Sequence, residues 1–242
     1  MIKRTELEHG RNIADRAEEI WGWASKAGQL RAERRANLLI ARAGIAKGLN
    51  ILEIGCGTGV FTAKLAVTIA NITATDISPE LLERARERVP NARFQIADAE
   101  RMPFAKGVFD GVVGSSILHH LNLEVTLKEM YRVLKPGGRL AFAEPNMLNP
   151  QVMLQKNIPA LKKRLGDTPD ETAFFRGRLA HTLRENGFAK VKVEPFDFLH
   201  PATPALLISL VQRAGSFLEE MPLFREIAGS LIISAIREGT PQ

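Results

Sequence analysis

Three glycines at alternate positions, Gly55, Gly57 and Gly59, follow a short apolar run and constrain the fold more than any other feature of the chain. Residues 50–54 are typical of a buried strand, and residues 60–70 continue with helical periodicity. Glycine adopts positive φ at little steric cost and lets a ligand approach the backbone without meeting a Cβ. We therefore predict a tight turn between a strand and a helix whose first N–H groups are unpaired.

The glycine spacing narrows the choice of ligand. A dinucleotide-binding fingerprint would place its third glycine at position 60, which is Val60 here. A phosphate-binding P-loop needs lysine directly after its last glycine, and none stands there. A ligand at this turn is therefore expected to present no phosphate to it. A tight turn that binds nothing is the structural alternative.

Short apolar runs alternate with helical segments along the rest of the chain. Further strands are predicted over 72–75, 93–97, 109–114, 139–143, 190–196 and 228–236, and helices over 78–89, 122–134, 176–186 and 204–221. This alternation predicts an α/β fold, a parallel sheet with helices on both faces. We expect a single domain over 1–242, with a helical cap at 1–49 and a ligand-binding core at 50–144. The remaining sheet lies in 145–242, with insertions at 146–175 and 197–227.

Polar residues follow several predicted strands, and ligands of open α/β sheets gather at the carboxyl ends of strands. Glu53, Asp76, Asp98 and Ser115 all lie near such ends. Asp76 is placed to accept hydrogen bonds from ribose hydroxyls. The alternative role for Asp76 is to cap the helix that begins near Ser78. Asp98 suits the exocyclic amine of a base, and its alternative is an ordinary acid at a strand end.

Composition limits the partners and the compartment. The chain has 33 Lys and Arg against 27 Asp and Glu, a formal net charge of +6, without a long basic run. A solvated surface is therefore favoured over a nucleic-acid stripe. The single cysteine, Cys56, cannot form an internal disulfide, which fits a reducing and cytoplasmic location. Neither a signal peptide nor a membrane-spanning segment is recognisable.

Seven motifs between residues 50 and 144 occur together in a specific order. They are Leu-Glu-Ile-Gly-Cys-Gly-Thr-Gly (52–59), Thr-Asp-Ile-Ser-Pro-Glu (75–80), Ala-Asp-Ala-Glu (97–100), Met-Pro-Phe (102–104), Phe-Asp (109–110), Leu-His-His-Leu (118–121) and Arg-Val-Leu-Lys-Pro-Gly-Gly (132–138). With these motifs the chain resembles the class I S-adenosylmethionine-dependent methyltransferases of the type 11 methyltransferase domain. The resemblance implies a Rossmann-like seven-stranded sheet in the order 3-2-1-4-5-7-6, with the last strand antiparallel.

The resemblance also implies the cofactor, S-adenosylmethionine, and the product, S-adenosylhomocysteine. It places the methionine part near one loop, whose residues are Gly55, Cys56, Gly57, Thr58 and Gly59, with Glu53 orienting it. It assigns the ribose to Asp76, the adenine to Ile77, Asp98 and Ala99, and the sulfonium to Ser115.

Three arginines of the predicted helical cap at 1–49 could cover this cofactor: Arg31, which we place first, Arg34 and Arg35. A guanidinium suits the methionine carboxylate. The alternative is a basic helix face in solvent.

Methyl transfer from a sulfonium mainly requires positioning, and a general base is needed only when the acceptor must lose a proton. His120 and then His119 are the leading base candidates, and structural roles in the adjoining helix are the alternative. Glu144 and Asn146 could contact the acceptor. His181 and His200 are weaker candidates for the base. His, Cys and acidic residues do not cluster at metal-ligand spacing, so no metal is expected.

The acceptor should be chosen by segments outside the shared core, namely 1–49, 146–175 and 197–227. The last of these is rich in apolar residues between Phe196 and Leu218. They favour a small, apolar or lipid-like acceptor and allow peripheral membrane contact. Packing against a second subunit or over the sheet edge is the alternative, so either a monomer or a homodimer is expected. An RNA or protein methyltransferase and a non-catalytic cofactor-binding module remain the competing functions.

Overall fold

The computed structural model describes residues 4–165, 168 and 171–239. Its centre is a seven-stranded sheet in the order β3-β2-β1-β4-β5-β7-β6. The strands are β1 Asn50–Ile54, β2 Asn71–Asp76, β3 Arg93–Ile96, β4 Phe109–Ser115, β5 Leu134–Pro145, β6 Phe188–Phe196 and β7 Ser230–Arg237. Strand β7 runs antiparallel to β5 and β6, and the other pairs are parallel. The expected strand order and the antiparallel last strand are confirmed.

Helices cover both faces of this sheet. They are α1 Arg4–Ile13, α2 Ala17–Ile20, α3 Lys26–Ala43, α4 Val60–Ala66, α5 Pro79–Arg88, α6 Leu123–Val133, α7 Pro150–Asn157, α8 Pro159–Leu165, α9 Arg176–Glu185 and α10 Ile208–Glu220. Shorter 3-10 turns occupy Leu118–His120, Ala205–Leu207 and Phe224–Ile227. Together with the strand order, this layering is the predicted α/β architecture.

Neighbouring residues of the central strands enter different cores. Leu52 and Val112 belong to one large apolar cluster, while Ile51 and Val113 belong to another. Successive side chains of a strand point to opposite faces of the sheet. Both faces of β1 and β4 are therefore buried, which explains why their sequences are apolar runs rather than alternating patterns.

Several predicted boundaries differ from the structure. The helix expected over 60–70 ends at Ala66, where the hydroxyl of Thr68 donates to the carbonyl of Leu65 and Ile69 adopts a φ of 58°. Strand β5 begins at Leu134 and not at the expected residue 139, and its pairing with β4 jumps from Phe109–Leu134 to Gly111–Arg139. The apolar helix expected over 204–221 is divided into a 3-10 turn and α10.

Several of the apolar residues expected to line an acceptor site face solvent instead. Leu206 is 97% exposed, Leu210 is 58% exposed and Phe217 is 63% exposed. Helix α10 packs through its other side, where Ile208 and Gly215 are buried. No helix in the described ranges combines the length and the apolarity needed to cross a bilayer.

Candidate functional site

The glycine bend joins β1 to α4 at the carboxyl edge of the sheet. Gly55, Gly57 and Gly59 have φ values of 65°, 53° and 79°, a region that other residues rarely adopt. A Cβ on Gly55 would lie 2.4 Å from Ile117, and one on Gly57 would lie 3.0 Å from Trp21. The bend therefore needs glycine both for its backbone conformation and for space.

Asp76, at the end of β2, holds this bend. Its Oδ2 accepts a hydrogen bond from the N–H of Gly57 at 2.8 Å, and its Oδ1 accepts one from Ser78 at 3.0 Å. Burial raises the pKa of Asp76, and these N–H groups oppose the shift. A carboxylate offers about four lone-pair sites, so each oxygen can still accept from a ligand. The capping and ligand-binding interpretations of Asp76 are therefore compatible.

A cavity of about 830 Å³ lies beside the bend, a volume that falls in the roughly 300–1,000 Å³ range of small-molecule sites. The predicted residues that line it include Arg31, Gly55, Cys56, Gly57, Thr58, Asp76, Ile77, Asp98, Ala99, Ser115, His119 and His120. They come from the ends of four neighbouring strands, β1 to β4, and from α3. The fold thus brings most of the predicted site into one space.

Of the residues assigned to the strand ends and the glycine loop, Glu53 and Gly59 do not line the cavity. Glu53 is buried, and its Oε2 accepts a hydrogen bond from the hydroxyl of Thr62 in α4 at 2.6 Å. Gly59 lies against Ala85 of α5, where an added Cβ would lie 3.1 Å from the Ala85 backbone. Glu53 therefore supports the bend from the core side instead of facing a ligand.

Because the carboxyl of Glu53 is buried, we expect the free energy of unfolding to fall as pH rises. Desolvation raises its pKa from 4.5 to about 8, although the hydrogen bond from Thr62 opposes the shift. The folded chain therefore keeps a proton that the unfolded chain releases, and stability is lost progressively between about pH 5 and pH 8. Glu53→Gln should gain on the order of 1–3 kcal/mol relative to the unmodified chain over this interval. Urea unfolding at several pH values measures the difference in the free energy of unfolding. Equal pH dependence in the two proteins would contradict a raised pKa of Glu53. Glu87→Gln, at an exposed position, is the control.

Arg31 and Arg34 of α3 form ion pairs with residues near the end of the chain. The Nε of Arg31 lies 2.8 Å from the Oδ2 of buried Asp197, and Arg31 also lines the cavity. Arg34 donates both terminal nitrogens to Glu219 and lies outside the cavity. The expectation that Arg34 covers the ligand is therefore wrong.

Arg35, next in sequence to Arg34, is 3% exposed and lines the cavity. Its terminal nitrogens donate to the hydroxyls of Ser115 at 3.3 Å, Ser116 at 3.2 Å, and Ser230. Arg35 thus ties α3 to the ends of β4 and β7.

His119 lines the cavity, and Glu144 at the end of β5 fixes its ring. The Nδ1 of His119 lies 2.7 Å from Oε2 of Glu144, whose Oε1 accepts the N–H groups of Ile117 and Leu118 at 2.9 Å each. Because a carboxylate accepts, the imidazole proton lies on Nδ1 and the lone pair on Nε2. Burial lowers the pKa of His119, with a further contribution from His120, so the ring is neutral at neutral pH.

Glu144 and Asn146 do not line the cavity, which corrects the expectation that they contact an acceptor. Glu144 is fully buried and contacts His119, which does line the cavity. The amide of Asn146 donates to the carbonyls of Glu226 and Ala228 at 2.8 Å each. Asn146 therefore anchors the chain before β7.

His120 and Glu171 complete a cluster with His119. The Nε2 of His119 lies 3.9 Å from Oε2 of Glu171, and the Nδ1 of His120 lies 3.7 Å from Oε1. The expectation that histidines and acids do not cluster is wrong, because these ligand atoms all lie within 4.8 Å of one another. However, the ammonium of Lys156 lies 2.6 Å from Oε2 of Glu171. Burial opposes ionisation of Glu171, but His120 and Lys156 hold its pKa well below the usual value, so a cation already compensates this carboxylate.

The two remaining histidine candidates occupy different places. His200 lines the cavity, and its Nδ1 accepts the N–H of Ala202 at 3.1 Å while its Nε2 lies 2.7 Å from the side-chain amide of Gln151. His181 lies on the exposed surface of α9, paired with Glu185. His181 is therefore not part of the site.

Comparisons with known proteins agree with this geometry. Residues 52–142 match the methyltransferase domain family. An uncharacterized methyltransferase of Synechocystis sp. is 36% identical over 163 residues, which cover 66% of this chain and 76% of that protein. The chain belongs to the class I S-adenosylmethionine-dependent methyltransferases.

Two further likenesses cover different shares of the chain. A demethylmenaquinone methyltransferase of Chlorobaculum parvum is 39% identical over 115 residues, 47% of this chain and 44% of that protein. A solved S-adenosylmethionine-dependent methyltransferase of Thermotoga maritima has a TM-score of 0.66 at 21% identity and covers 95% of this chain and 100% of its own. At that identity the likeness concerns the fold alone. The chain spans about half the length of several of the curated relatives that it matches.

The residues of this methyltransferase fit its cofactor. The bend presents backbone without side chains at Gly55 and Gly57, so a ligand can lie against it. Asp76 and Asp98 line the same cavity and add acceptor oxygens at the ends of β2 and β3, of the kind that ribose hydroxyls and an adenine amine would require.

Sequence reasoning missed several residues of the cavity. Gln151, Gln155, Lys156 and Glu171 all come from the insertion at 146–175, which was predicted as an acceptor-side segment without individual residues. Trp23 also lines the cavity and packs edge-on against Phe61. The only signal in the sequence was polar residues within an irregular, proline-containing segment.

Proposed function

We propose that this methyltransferase transfers the methyl group of S-adenosylmethionine to a small-molecule acceptor that carries an ionisable hydroxyl. The observation that carries the proposal is one continuous cavity. The glycine bend and Asp76 form one part of its wall, and His119 and His120 form another. Such a cavity can bring a cofactor and an acceptor together.

The chain's own residues would hold the cofactor by complementary hydrogen bonds. Asp76 accepts from the ribose hydroxyls, and Asp98 accepts from the adenine amine, with Ile77 and Ala99 beside the ring. When bound, the cofactor supplies an activated methyl group on a sulfonium. Positioning the two reactants can contribute roughly 7–11 kcal/mol to catalysis.

His119 is the favoured base, ahead of His120. Its Nε2 carries the free lone pair and would take the proton of the acceptor hydroxyl as the methyl group is transferred. The buried carboxylate of Glu144 accepts from Nδ1 and stabilises the imidazolium that forms. Glu144 is therefore a positioning residue.

The enclosure of the histidines favours a small acceptor over a protein or an RNA. His119 is 8% exposed, and helices α2 and α7 together with residues 197–202 surround the cavity. A nucleotide or side chain within a folded macromolecule would have to enter this space. The named acceptor of the Chlorobaculum relative is also a small molecule.

The test combines binding and turnover. Calorimetry should detect the binding of S-adenosylhomocysteine to the chain. A screen of phenols, hydroquinones and hydroxy acids with methyl-labelled cofactor should give a labelled product that mass spectrometry detects. Labelling of RNA or protein but not of small molecules would refute the acceptor class. Cofactor binding without turnover on any acceptor would favour a binding module.

A further inference from the structure

Two imidazoles and a carboxylate converge on one part of the cavity wall. His119 and His120 are consecutive residues of the 3-10 turn after β4, and their ring centroids lie 4.2 Å apart. Glu171, from the insertion at 146–175, approaches both rings, and one ligand atom from each of the three residues lies within 4.8 Å of the others. All three residues line the cavity, so a small ion can reach them. The fold therefore presents a donor set of two nitrogens and one oxygen.

The distances between these donors suit a transition-metal ion after a small adjustment. Zn²⁺ binds imidazole nitrogens and carboxylate oxygens at about 2.0–2.2 Å, which places the ligand atoms of a tetrahedral site about 3.3–3.5 Å apart. The Nε2 of His119 lies 3.9 Å from Oε2 of Glu171, and the Nδ1 of His120 lies 3.7 Å from Oε1. A closure of roughly half an ångström would bring each pair to the separation that the ion requires.

The groups behind this donor set hold it in a form that favours metal binding. A histidine that binds a metal usually donates its other ring nitrogen to a carboxylate or a carbonyl, which fixes the tautomer. The Nδ1 of His119 makes this contact with Glu144 at 2.7 Å, which leaves the lone pair on Nε2. The Oε1 of Glu171 accepts the N–H of Thr168 at 2.9 Å, so the carboxylate is also fixed. Each carboxylate oxygen has two lone pairs and can bind an ion besides this partner.

Lys156 competes with an ion for the same carboxylate. Its ammonium lies 2.6 Å from Oε2 of Glu171, where it compensates the negative charge. At such a distance the ammonium also repels a second cation. The lysine side chain has a flexible stem, and Lys156 lines the cavity, so its ammonium can turn towards the cavity when an ion binds. The affinity of the cluster for a metal should therefore depend on Lys156.

We propose that the two histidines and Glu171 bind a divalent transition-metal ion of the Zn²⁺ type, in competition with the ammonium of Lys156. Imidazole suits this class of ion, whereas Mg²⁺ and Ca²⁺ prefer oxygen ligands. The site stands on the donor set alone, and only its consequence rests on the proposed function. An ion on Nε2 of His119 occupies the lone pair that would take the proton of the acceptor, so the metal-bound chain should not transfer methyl groups.

Calorimetry with Zn²⁺ on the cofactor-free chain tests the site. We expect saturable binding that an excess of Mg²⁺ does not displace. His120→Ala and Glu171→Gln should each weaken Zn²⁺ binding by more than about 100-fold, because loss of an outer partner of a ligand already costs about 10–100-fold. Lys156→Met should instead tighten Zn²⁺ binding by about 10–100-fold, because the charged hydrogen bond to Glu171 no longer opposes the ion.

His181→Ala is the matched control for these variants. His181 pairs with Glu185 at 3.1 Å on the exposed surface of α9, where Zn²⁺ could bind weakly outside the cavity. The tight binding should be the same in His181→Ala as in the unmodified chain. Circular dichroism and the melting temperature verify the fold of each variant. Co²⁺ gives a readout that needs no variant, because a tetrahedral Co²⁺ site absorbs visible light far more strongly than the aqueous ion.

The outcomes separate the metal site from the proposed function. Equal Zn²⁺ affinity in the unmodified chain, His120→Ala and Glu171→Gln would overturn the site, and so would loss of the tight binding in His181→Ala. Equal affinity in Lys156→Met would overturn the competition with the ammonium. Normal binding of S-adenosylhomocysteine without binding of Zn²⁺ or Co²⁺ would defeat the site alone. Zn²⁺ binding that depends on His120 and Glu171, without binding of S-adenosylhomocysteine, would support the site and defeat the proposed function.

Discussion

Asp76→Ala should raise the dissociation constant for S-adenosylhomocysteine by about 100-fold or more. Two hydrogen bonds from ribose to a carboxylate are each worth roughly 1.5–3 kcal/mol, so losing both exceeds the effect of any other single contact in the site. The variant also releases the N–H of Gly57, which Oδ2 of Asp76 holds at 2.8 Å, so the bend loses an anchor. Isothermal titration calorimetry measures the change.

Asp76→Asn is the informative companion to this variant. Its amide keeps one acceptor oxygen and the size of the side chain, so binding should fall to an intermediate value. Asp15→Ala, at an exposed position, should bind like the unmodified chain. If Asp76→Ala keeps its fold by circular dichroism and its dissociation constant is unchanged, the ligand does not lie at the glycine bend and Asp76.

His119→Ala should lower turnover by about 10²–10⁴-fold once an acceptor is known, because base catalysis is typically worth that much. The affinity for S-adenosylhomocysteine should change by no more than about threefold, since the proposed cofactor contacts lie at the bend and at Asp76. His181→Ala is the matched control, being an exposed histidine outside the cavity. A normal rate in His119→Ala but a large loss in His120→Ala would reverse the assignment of the base.

The pH dependence of the turnover rate gives a second test of the pair formed by His119 and Glu144. Burial lowers the pKa of His119, so the acid limb of the rate profile should lie below the ordinary value of 6.5. The hydrogen bond that His119 donates to Glu144 acts in the opposite direction and raises this pKa. Glu144→Gln should therefore move the acid limb to lower pH while reducing the maximal rate. A purely structural role of Glu144 would leave the position of that limb unchanged.

The local features of the site could be predicted from sequence because they depend on short-range requirements. The bend needs glycine for positive φ, and Ser78 with Pro79 begins α5 by side-chain capping, with the Ser78 hydroxyl accepting from Leu81. The buried strands follow from apolar runs between turn residues. Asp76 could be paired with the bend because adjacent parallel strands end at the same edge of a sheet.

Contacts between distant segments required the tertiary structure. Arg34 and Arg35 are neighbours in sequence, yet successive helical residues project about 100° apart, so one meets Glu219 and the other meets the serines of β4 and β7. Glu53 has the residue type of a ligand contact, but it faces Thr62 across the core.

The histidine cluster shows the same division. The sequence by itself determined the alternating helices and strands, because these follow from a period of two or 3.6 residues, and the seven motifs shared with the family implied the strand order and the proposed cofactor contacts. Only the tertiary structure decided that Glu144 orients His119 and that Glu171 and Lys156 meet the histidines. These partners are separated by 25 or more positions from His119, and no periodic pattern encodes a contact between segments joined by an irregular insertion.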